Sequence, residues 1–213
     1  MISVIIPAYN EEKYIEKTLK SIKKQNFKHY ETIVVCNGCT DNTKDIAKRY
    51  ADKVLVIKEA NVMLAKNKGA SVSKYKKLIF LDADTKFNDS NALYKISKYK
   101  CDISTCFFLP NNFKLRYIPF FIVKNLSNFF GTANGIIICD KEKFHKIGGF
   151  NVKRYPLENR DLIMRFKRIG NFHVVPLFVV TSMRRHDKWG LYSLLYWSKS
   201  LIFNNKERYE AVR

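Results

Sequence analysis

Residues 78–84 of the chain read Leu78-Ile79-Phe80-Leu81-Asp82-Ala83-Asp84, four apolar residues followed by two aspartates that one alanine separates. This short apolar run predicts a buried strand, which places both carboxylates at its C-terminal edge. Open α/β sheets bind ligands at that edge. Two carboxylates this close repel each other, so the pattern predicts a positive partner, with a hard divalent cation carrying a diphosphate as the candidate. The alternative is a polar turn after a strand.

The sequence around this run alternates between strand and helix patterns. Strand patterns cover residues 2–6, 32–35, 54–57 and 77–81, and helical patterns follow the first three of them. Pro7 is expected to close the first strand, and Asn10 to cap the first helix. This alternation predicts an α/β fold with a mostly parallel, doubly wound sheet and helices on both faces.

The second half of the chain is less regular. Strand patterns cover residues 103–109, 136–139, 173–175 and 178–180, and helical patterns cover 89–98 and 157–169. Residues 114–130 form a segment rich in aromatic and basic side chains. The pattern of residues 191–203 predicts a final amphipathic helix. Its aromatic residues would dock on the protein, on a second subunit or on a membrane. With 213 residues and no linker-like stretch, we expect a single domain.

Composition narrows the class of protein. No signal-peptide pattern follows Met1, and no apolar window is long enough for a spanning helix, so a cytoplasmic protein is expected. Five cysteines without a secretory context indicate reduced thiols. Cys36 and Cys39 have the spacing of half a zinc site or a redox pair, but no second pair completes it. The formal net charge of +20 suits phosphorylated molecules, anionic lipid or nucleic acid, although no nucleic-acid-binding module is recognisable.

Six short motifs occur in a fixed order along the chain. They are Ile5-Ile6-Pro7-Ala8-Tyr9-Asn10-Glu11-Glu12, Val34-Val35-Cys36-Asn37-Gly38-Cys39-Thr40-Asp41, Asn67-Lys68-Gly69-Ala70, Phe80-Leu81-Asp82-Ala83-Asp84, Ile147-Gly148-Gly149-Phe150-Asn151 and Glu158-Asn159-Arg160-Asp161-Leu162. Together they resemble glycosyltransferase family 2, over about residues 2–185. The resemblance implies a GT-A fold and a nucleotide-sugar donor. It divides the chain into a nucleotide-sugar-binding half (1–88), an acceptor-side half (89–185) and a C-terminal helical extension (186–213).

The resemblance also implies a donor site. Six residues of the first two loops would contact the base and the ribose: Pro7, Ala8, Tyr9, Glu11, Asn37 and Asp41. The alternative for the first loop is that it caps the helix that follows. Cys36 and Asn37 stand where relatives are often acidic, which leaves the identity of the base open.

The same resemblance implies a metal and diphosphate site. Asp82 and Asp84 would hold Mn²⁺ or Mg²⁺ against the two phosphates, with Asp84 the more direct ligand. Lys66 would lie near the diphosphate or, alternatively, face solvent. Arg184 and Arg185 would clamp phosphate oxygens and His186 would be a third metal ligand, unless they form an ordinary surface group.

The acceptor side departs from the family pattern at one position. Gly148-Gly149-Phe150 resembles the acceptor-side turn, and relatives commonly have an aspartate base where this chain has Asn159. An amide cannot act as a base. Either Glu158 or Asp161 takes over the catalytic role, or the acceptor is an ionised phosphate that needs no base, or the protein binds nucleotide sugar or lipid without catalysing.

The second of these explanations is favoured. A polyprenyl phosphate or glycolipid acceptor fits the positive charge and the basic, aromatic residues 113–121, which suit the inner face of a membrane. The alternative for that segment is a core helix with a basic outer face. The expected function is therefore a metal-dependent, inverting, hexosyltransferase-like glycosyltransferase with peripheral membrane contact.

Overall fold

The computed structural model of the chain describes residues 1–154 and 157–190. The strands in this part are β1 (Ile2–Ala8), β2 (Tyr30–Asn37), β3 (Lys53–Ile57), β4 (Lys77–Leu81), β5 (Thr85–Phe87), β6 (Ile103–Pro110), β7 (Ile136–Asp140) and β8 (Phe172–Thr181). They form one sheet in the order β3-β2-β1-β4-β7-β6-β8-β5. The first four strands pair in parallel, as do β6 and β8, whereas β7 is antiparallel to β4 and β6, and β5 is antiparallel to β8. The predicted α/β fold with a mostly parallel sheet is confirmed.

Helices connect these strands and cover both faces of the sheet. They are α1 (Ile15–Lys23), α2 (Thr43–Lys48), α3 (Val62–Ser71), α4 (Ala92–Lys98), α5 (Ile118–Phe129), α6 (Lys141–Lys146), α7 (Glu158–Phe166) and α8 (Arg184–Trp189). Side chains of β1 alternate between two apolar cores: Val4 and Ile6 pack with Leu19 of α1, and Ile5 packs with Ala70 of α3. The aspartate-bearing strand β4 lies beside β1 in the middle of this two-sided core.

The first strand is longer than expected. Pro7 was expected to end it, but β1 continues to Ala8, and Pro7 pairs in parallel register with Val35. The pairing of β1 with β4 ends at Ile5 and Phe80. Pro7 therefore lies beyond the ladder on one side, where a missing N–H is tolerated.

Asn10 does not cap the first helix. Its backbone has a φ of 54°, in the left-handed region that asparagine tolerates, whereas an N-cap residue normally has an extended backbone. Helix α1 begins at Ile15 without a side-chain cap. The Asn10 Oδ1 atom instead accepts from the Thr40 N–H at 2.8 Å, which ties the first loop to the second.

The rear half of the sheet differs from the prediction in two places. The short strand β5 follows the aspartates directly and was not predicted, because three residues are too few for a periodic pattern. The two strands expected at 173–175 and 178–180 are one strand, β8. Val175 pairs with Cys106 and Phe178 with Phe107, so the residues around Pro176 form a bulge rather than a turn.

Gly69 allows α3 to lie against β1. A Cβ atom on Gly69 would be 2.3 Å from the Cγ2 atom of Ile5. We expect Gly69→Ala to lower the free energy of unfolding by about 2 kcal/mol, because overpacking outweighs the roughly 1 kcal/mol gain in helix propensity. Urea unfolding measures this change. The control Ser71→Ala, at an exposed position of α3, should stay within about 0.5 kcal/mol of the wild type. Equal midpoints for Gly69→Ala and the wild type would contradict the close approach.

The predicted C-terminal helix at 191–203 lies outside the described residues. Within the described part of the chain, no helix has both the length and the apolar character needed to cross a membrane. The five cysteines are free thiols.

Candidate donor and acceptor site

The two aspartates flank a tight turn at the end of β4. The Asp82 N–H donates to the carbonyl of Gly135 at 2.9 Å, and the Thr85 N–H donates to the carbonyl of Asp82 at 3.0 Å. These bonds fix the backbone of the turn at the C-terminal edge of the sheet. The Asp82 side chain is 42% exposed, and that of Asp84 is 16% exposed. Asp82 is therefore open to a ligand, whereas Asp84 lies deeper.

Arg184 joins the last strand to the first loop. Its Nη1 and Nη2 atoms donate to the two carboxylate oxygens of Glu11, with an Nη1–Oε2 distance of 2.8 Å. Nη2 also lies 3.2 Å from Oδ2 of Asp84. The buried Nε atom of Arg184 has no hydrogen-bond partner within residues 1–154 and 157–190. Arg184 thus brings Glu11 and Asp84 together through its two terminal nitrogen atoms, Nη1 and Nη2.

The carboxylates at this edge outnumber the basic groups that pair with them. Burial raises the pKa of Glu11, whereas the hydrogen bonds and positive charge of Arg184 lower it. The negative charges of Asp84 and Asp82 also raise this pKa, which is raised overall. A bound cation would relieve this excess of negative charge.

Asp41 braces the second loop. Its Oδ1 accepts from the Thr43 N–H at 3.0 Å, and its Oδ2 accepts from the Glu12 N–H at 3.2 Å. Burial alone would raise the pKa of Asp41, but the hydroxyl and N–H of Thr43 and the N–H of Glu12 lower it overall. The Thr43 hydroxyl also accepts from the Glu11 N–H at 2.7 Å. Asp41 therefore holds the two donor-side loops in place.

The other residues expected at the nucleotide base lie on the same edge of the sheet. Pro7 and Ala8 are buried within β1, and Tyr9 is half-buried directly after it. Asn37 ends β2 and is 3% exposed, and its Oδ1 atom has no hydrogen-bond partner in the described part of the chain. An N–H group of a base could supply the missing donor.

Lys66 links the aspartate turn to helix α7. It is 3% exposed, and its Nζ atom donates to Oδ1 of Asn159 at 3.1 Å. The same Nζ lies 4.0 Å from Oδ1 of Asp82 and 4.9 Å from the centre of the Phe150 ring. The alternative of a solvent-facing Lys66 is therefore wrong. A buried ammonium group stands between the first aspartate and the position of the expected base.

Asn67 fastens the acceptor-side turn to α3. Its Nδ2 donates to the carbonyl of Phe150 at 2.8 Å, and its Oδ1 accepts from the Phe150 N–H at 2.9 Å. Gly149 has a φ of 67°, and a Cβ there would lie 2.7 Å from the Asn67 Oδ1. Asn67 and Phe150 were missed as functional positions, although both lie within the quoted motifs. These bonds set the Phe150 ring beside Lys66.

The two alternative base residues have different surroundings. Glu158 begins α7 and is half-buried. Asp161 Oδ2 accepts a hydrogen bond from Nε of Arg165 at 2.9 Å and forms an ion pair with Nη2 of the same residue at 2.7 Å. Arg165 in turn donates to the carbonyl of Ile147 at 2.8 Å. Asp161 thus belongs to a bridge that anchors α7 to the glycine turn.

Helix α8 packs on the basic, aromatic segment. The ring of His186 lies 3.5 Å, centre to centre, from the ring of Phe120. Asp187 accepts through Oδ1 from Lys114 at 2.8 Å, from Arg116 and from the Tyr117 hydroxyl. These contacts place His186 on the segment. The side chain of Arg185 lies outside the described residues.

Among the residues that the structure describes, the aspartates do not belong to a closed cluster of metal-ligating side chains. Within residues 1–154 and 157–190, no three His, Cys, Asp or Glu side chains are grouped closely enough to hold a metal ion. Mg²⁺ and similar hard cations often take one or two protein carboxylates and complete their shell with substrate phosphates and water. Asp82 and Asp84 fit that mode of binding.

A family model describes most of this chain. The model is that of glycosyl transferase family 2, and it matches residues 3–159. The chain belongs to glycosyltransferase family 2. The matched range contains all of β1 except Ile2, the strands β2 to β7, the aspartate pair, Lys66 and Asn159.

Two solved structures have a similar fold. S. aureus TarS, in a crystal structure with UDP-GlcNAc, matches with a TM-score of 0.69 and 20% identity, over 85% of this chain and 58% of that one. The mannosyltransferase PcManGT from Pyrobaculum calidifontis, in complex with GDP-Man and Mn²⁺, matches with a TM-score of 0.70 and 17% identity, over 97% of this chain and 65% of that one. The GT-A fold expected from the resemblance is confirmed.

Sequence relatives are longer than this chain. Glycosyltransferase GlyA of Streptococcus pneumoniae serotype 4 is 35% identical over 111 residues, which are 48% of this chain and 16% of GlyA. The chain therefore corresponds to a part of this relative.

Proposed function

We propose that this family 2 glycosyltransferase moves a sugar from a nucleotide-sugar donor to a phosphate group of a polyprenyl phosphate or similar lipid acceptor, with inversion at the anomeric carbon and with a divalent cation. The contact between Lys66 and Asn159 carries the proposal. It places a buried positive charge where relatives are expected to have a carboxylate base.

The donor side is supported by the family, by the fold and by the aspartate turn. TarS and PcManGT were crystallised with UDP-GlcNAc and with GDP-Man and Mn²⁺. Asp82 and Asp84 would hold Mn²⁺ or Mg²⁺, which supplies Lewis-acid stabilisation of the departing diphosphate when bound. Arg184 orients Glu11 and Asp84 at this edge of the sheet. In this orientation Glu11 would accept a ribose hydroxyl.

The acceptor side is supported by the charge around Lys66. An aspartate at position 159 would pair with the Lys66 ammonium 3.1 Å away and cancel its charge. Asn159 offers only a neutral oxygen, so within the described residues Lys66 forms an ion pair with Asp82 alone, at 4.0 Å. A buried charge is costly unless it is paired. A phosphate entering beside Asn159 would complete the pairing, whereas a neutral hydroxyl would not.

This chemistry needs no general base. A phosphate oxygen of the acceptor forms a bond to the anomeric carbon while the bond from that carbon to the diphosphate breaks, and the diphosphate leaves with the electron pair. Attack opposite the leaving group inverts the anomeric centre. Phosphate monoesters have a second pKa of about 6 and are ionised at neutral pH, so no proton has to be removed. Asp161, held by Arg165, then stabilises the fold rather than taking a proton.

The alternative base residues can be tested directly. We expect Glu158→Gln and Asp161→Asn to keep transfer to a polyprenyl phosphate, losing far less than the roughly 10²-fold or more that removal of a general base costs. Radiolabelled sugar recovered in the lipid fraction measures the rate. Urea unfolding of both variants controls for loss of the Asp161–Arg165 bridge. Collapse of the rate in a folded Glu158→Gln or Asp161→Asn protein would return the role of base to that carboxylate.

A further inference from the structure

Helix α5 buries two asparagines besides Phe120 and exposes several large apolar side chains. Its buried side chains include Asn125 and Asn128, which are 8% and 0% exposed. Asn125 accepts from the Phe108 N–H at 2.9 Å and donates to the carbonyl of the same residue at 3.1 Å, and Asn128 donates to the carbonyl of Cys106 at 3.1 Å. The pairing of β6 with β7 covers only Ile103 and Ser104. The amides therefore complete the free edge of β6.

The outer side of the helix is apolar. Five large side chains at helical spacing are between 48% and 72% exposed: Ile122, Val123, Leu126, Phe129 and Phe130. Phe129 continues this surface to the sheet, since its ring lies 5.9 Å from that of Phe107, which lies 5.5 Å from the ring of half-exposed Phe178. We call this surface the α5 face. Contiguous apolar surface of this kind usually binds a partner.

Basic residues border the α5 face. Residues 103–139 contain Lys114, Arg116 and Lys124 and no aspartate or glutamate. Asp187 of α8 pairs with Lys114 and Arg116 together, which leaves one net positive charge at that end. At the other end Arg160 donates to the carbonyl of Phe130 at 3.4 Å. The border is therefore positive at both ends of the helix.

We infer that the α5 face docks on the surface of an anionic phospholipid bilayer, with its apolar side chains in the headgroup and acyl boundary and its basic border against the lipid phosphates. Apolar residues flanked by Lys and Arg are the pattern of interfacial helices. A second copy of the chain is disfavoured as the occupant, because it would bring two net charges of +20 together.

This orientation would place the proposed acceptor site at the membrane. Arg160, which reaches the α5 face, is the residue after Asn159. A lipid phosphate in the bilayer would then approach Lys66 from the docked side. The docking itself does not depend on the proposed transfer, since it can be measured without donor or acceptor.

Vesicle flotation tests the inference with the full chain. Wild-type protein should bind phosphatidylcholine vesicles that contain phosphatidylglycerol at low salt, more weakly at high salt, and at least about tenfold more weakly to phosphatidylcholine alone. Leu126→Ser with Phe129→Ser should lower the partition coefficient by roughly tenfold per side chain. The matched control is Val56→Ser with Tyr94→Ser, two exposed apolar residues on β3 and α4. It should bind like the wild type.

Several results would overturn the inference. These are wild-type protein that fails to float at low salt, equal binding to neutral vesicles, or equal loss in the control. Light scattering is a further test: a wild-type dimer that Leu126→Ser with Phe129→Ser dissociates would assign the face to a second copy. Should that double variant unfold, Ile122→Ser with Val123→Ser on the same face must show the loss instead. If a double variant of the α5 face loses flotation but still transfers sugar to a soluble acceptor, docking is separate from catalysis.

Discussion

Replacing Asp84 with alanine is expected to lower the rate of sugar transfer by about 10³-fold or more, the effect of removing a main source of charge stabilisation for the leaving group. Asp84 is only 16% exposed and stands beside Arg184. Asp82 is the other carboxylate in the same turn. The rate is measured with excess nucleotide sugar and saturating Mn²⁺.

Two controls separate loss of the metal from loss of the fold. Asp45→Ala removes an exposed aspartate that forms an ion pair with Lys48 on α2, and it should leave the rate unchanged. A thermal shift produced by nucleotide sugar with Mn²⁺ should be present in the wild type and reduced in Asp84→Ala, because a ligand that binds only the native state raises its stability. Equal transfer rates in Asp84→Ala and the wild type would contradict a role for Asp84.

Replacing Lys66 with methionine is expected to lower kcat/KM for a phosphate acceptor by about 10²-fold or more. Removing one member of a buried charge pair weakens binding at protein interfaces by a factor of this size. Methionine keeps an unbranched apolar stem in the pocket beside Phe150, so the stability of the protein should change little. Titration of the acceptor at saturating donor measures the loss. Lys68→Met, at an exposed position of the same helix, is the matched control and should keep the wild-type value.

A second substitution changes the charge from the opposite side. Asn159→Asp introduces a carboxylate at the oxygen that Lys66 now contacts at 3.1 Å, so it should neutralise the ammonium and lower the use of a phosphate acceptor. Gain of activity on phosphate in Asn159→Asp, or wild-type kcat/KM in Lys66→Met, would contradict the proposed acceptor pocket.

The central strands could be predicted from the sequence because they are buried on both faces. Residues 2–6 and 77–81 are mostly apolar in the sequence, and β1 and β4 were found there. The errors lie where local pattern is weak. Asn10 looked like a cap because of its residue type, whereas its left-handed backbone and its bond to Thr40 depend on the second loop. Two strands were predicted at 173–175 and 178–180, whereas pairing with β6 makes them one strand with a bulge at Pro176.

The site was predictable in its location but not in its contacts. The edge position of Asp82 follows from where β4 ends, and the motifs named most of the residues around it. The contact between Lys66 and Asn159 joins residues 93 positions apart, and that between Glu11 and Arg184 joins residues 173 apart. No local periodicity encodes such contacts. For the same reason the burial of Asn125 in α5 was not foreseen, since the edge of β6 that binds it is set by the sheet order.

The choice of acceptor is the most informative single measurement. Transfer from a nucleotide sugar that the protein binds should be followed with a polyprenyl phosphate and with the corresponding polyprenol, under identical conditions. We expect product with the phosphate and essentially none with the alcohol, because Asn159 cannot remove the proton of a hydroxyl. Equal or faster transfer to the alcohol would contradict an anionic acceptor at Lys66.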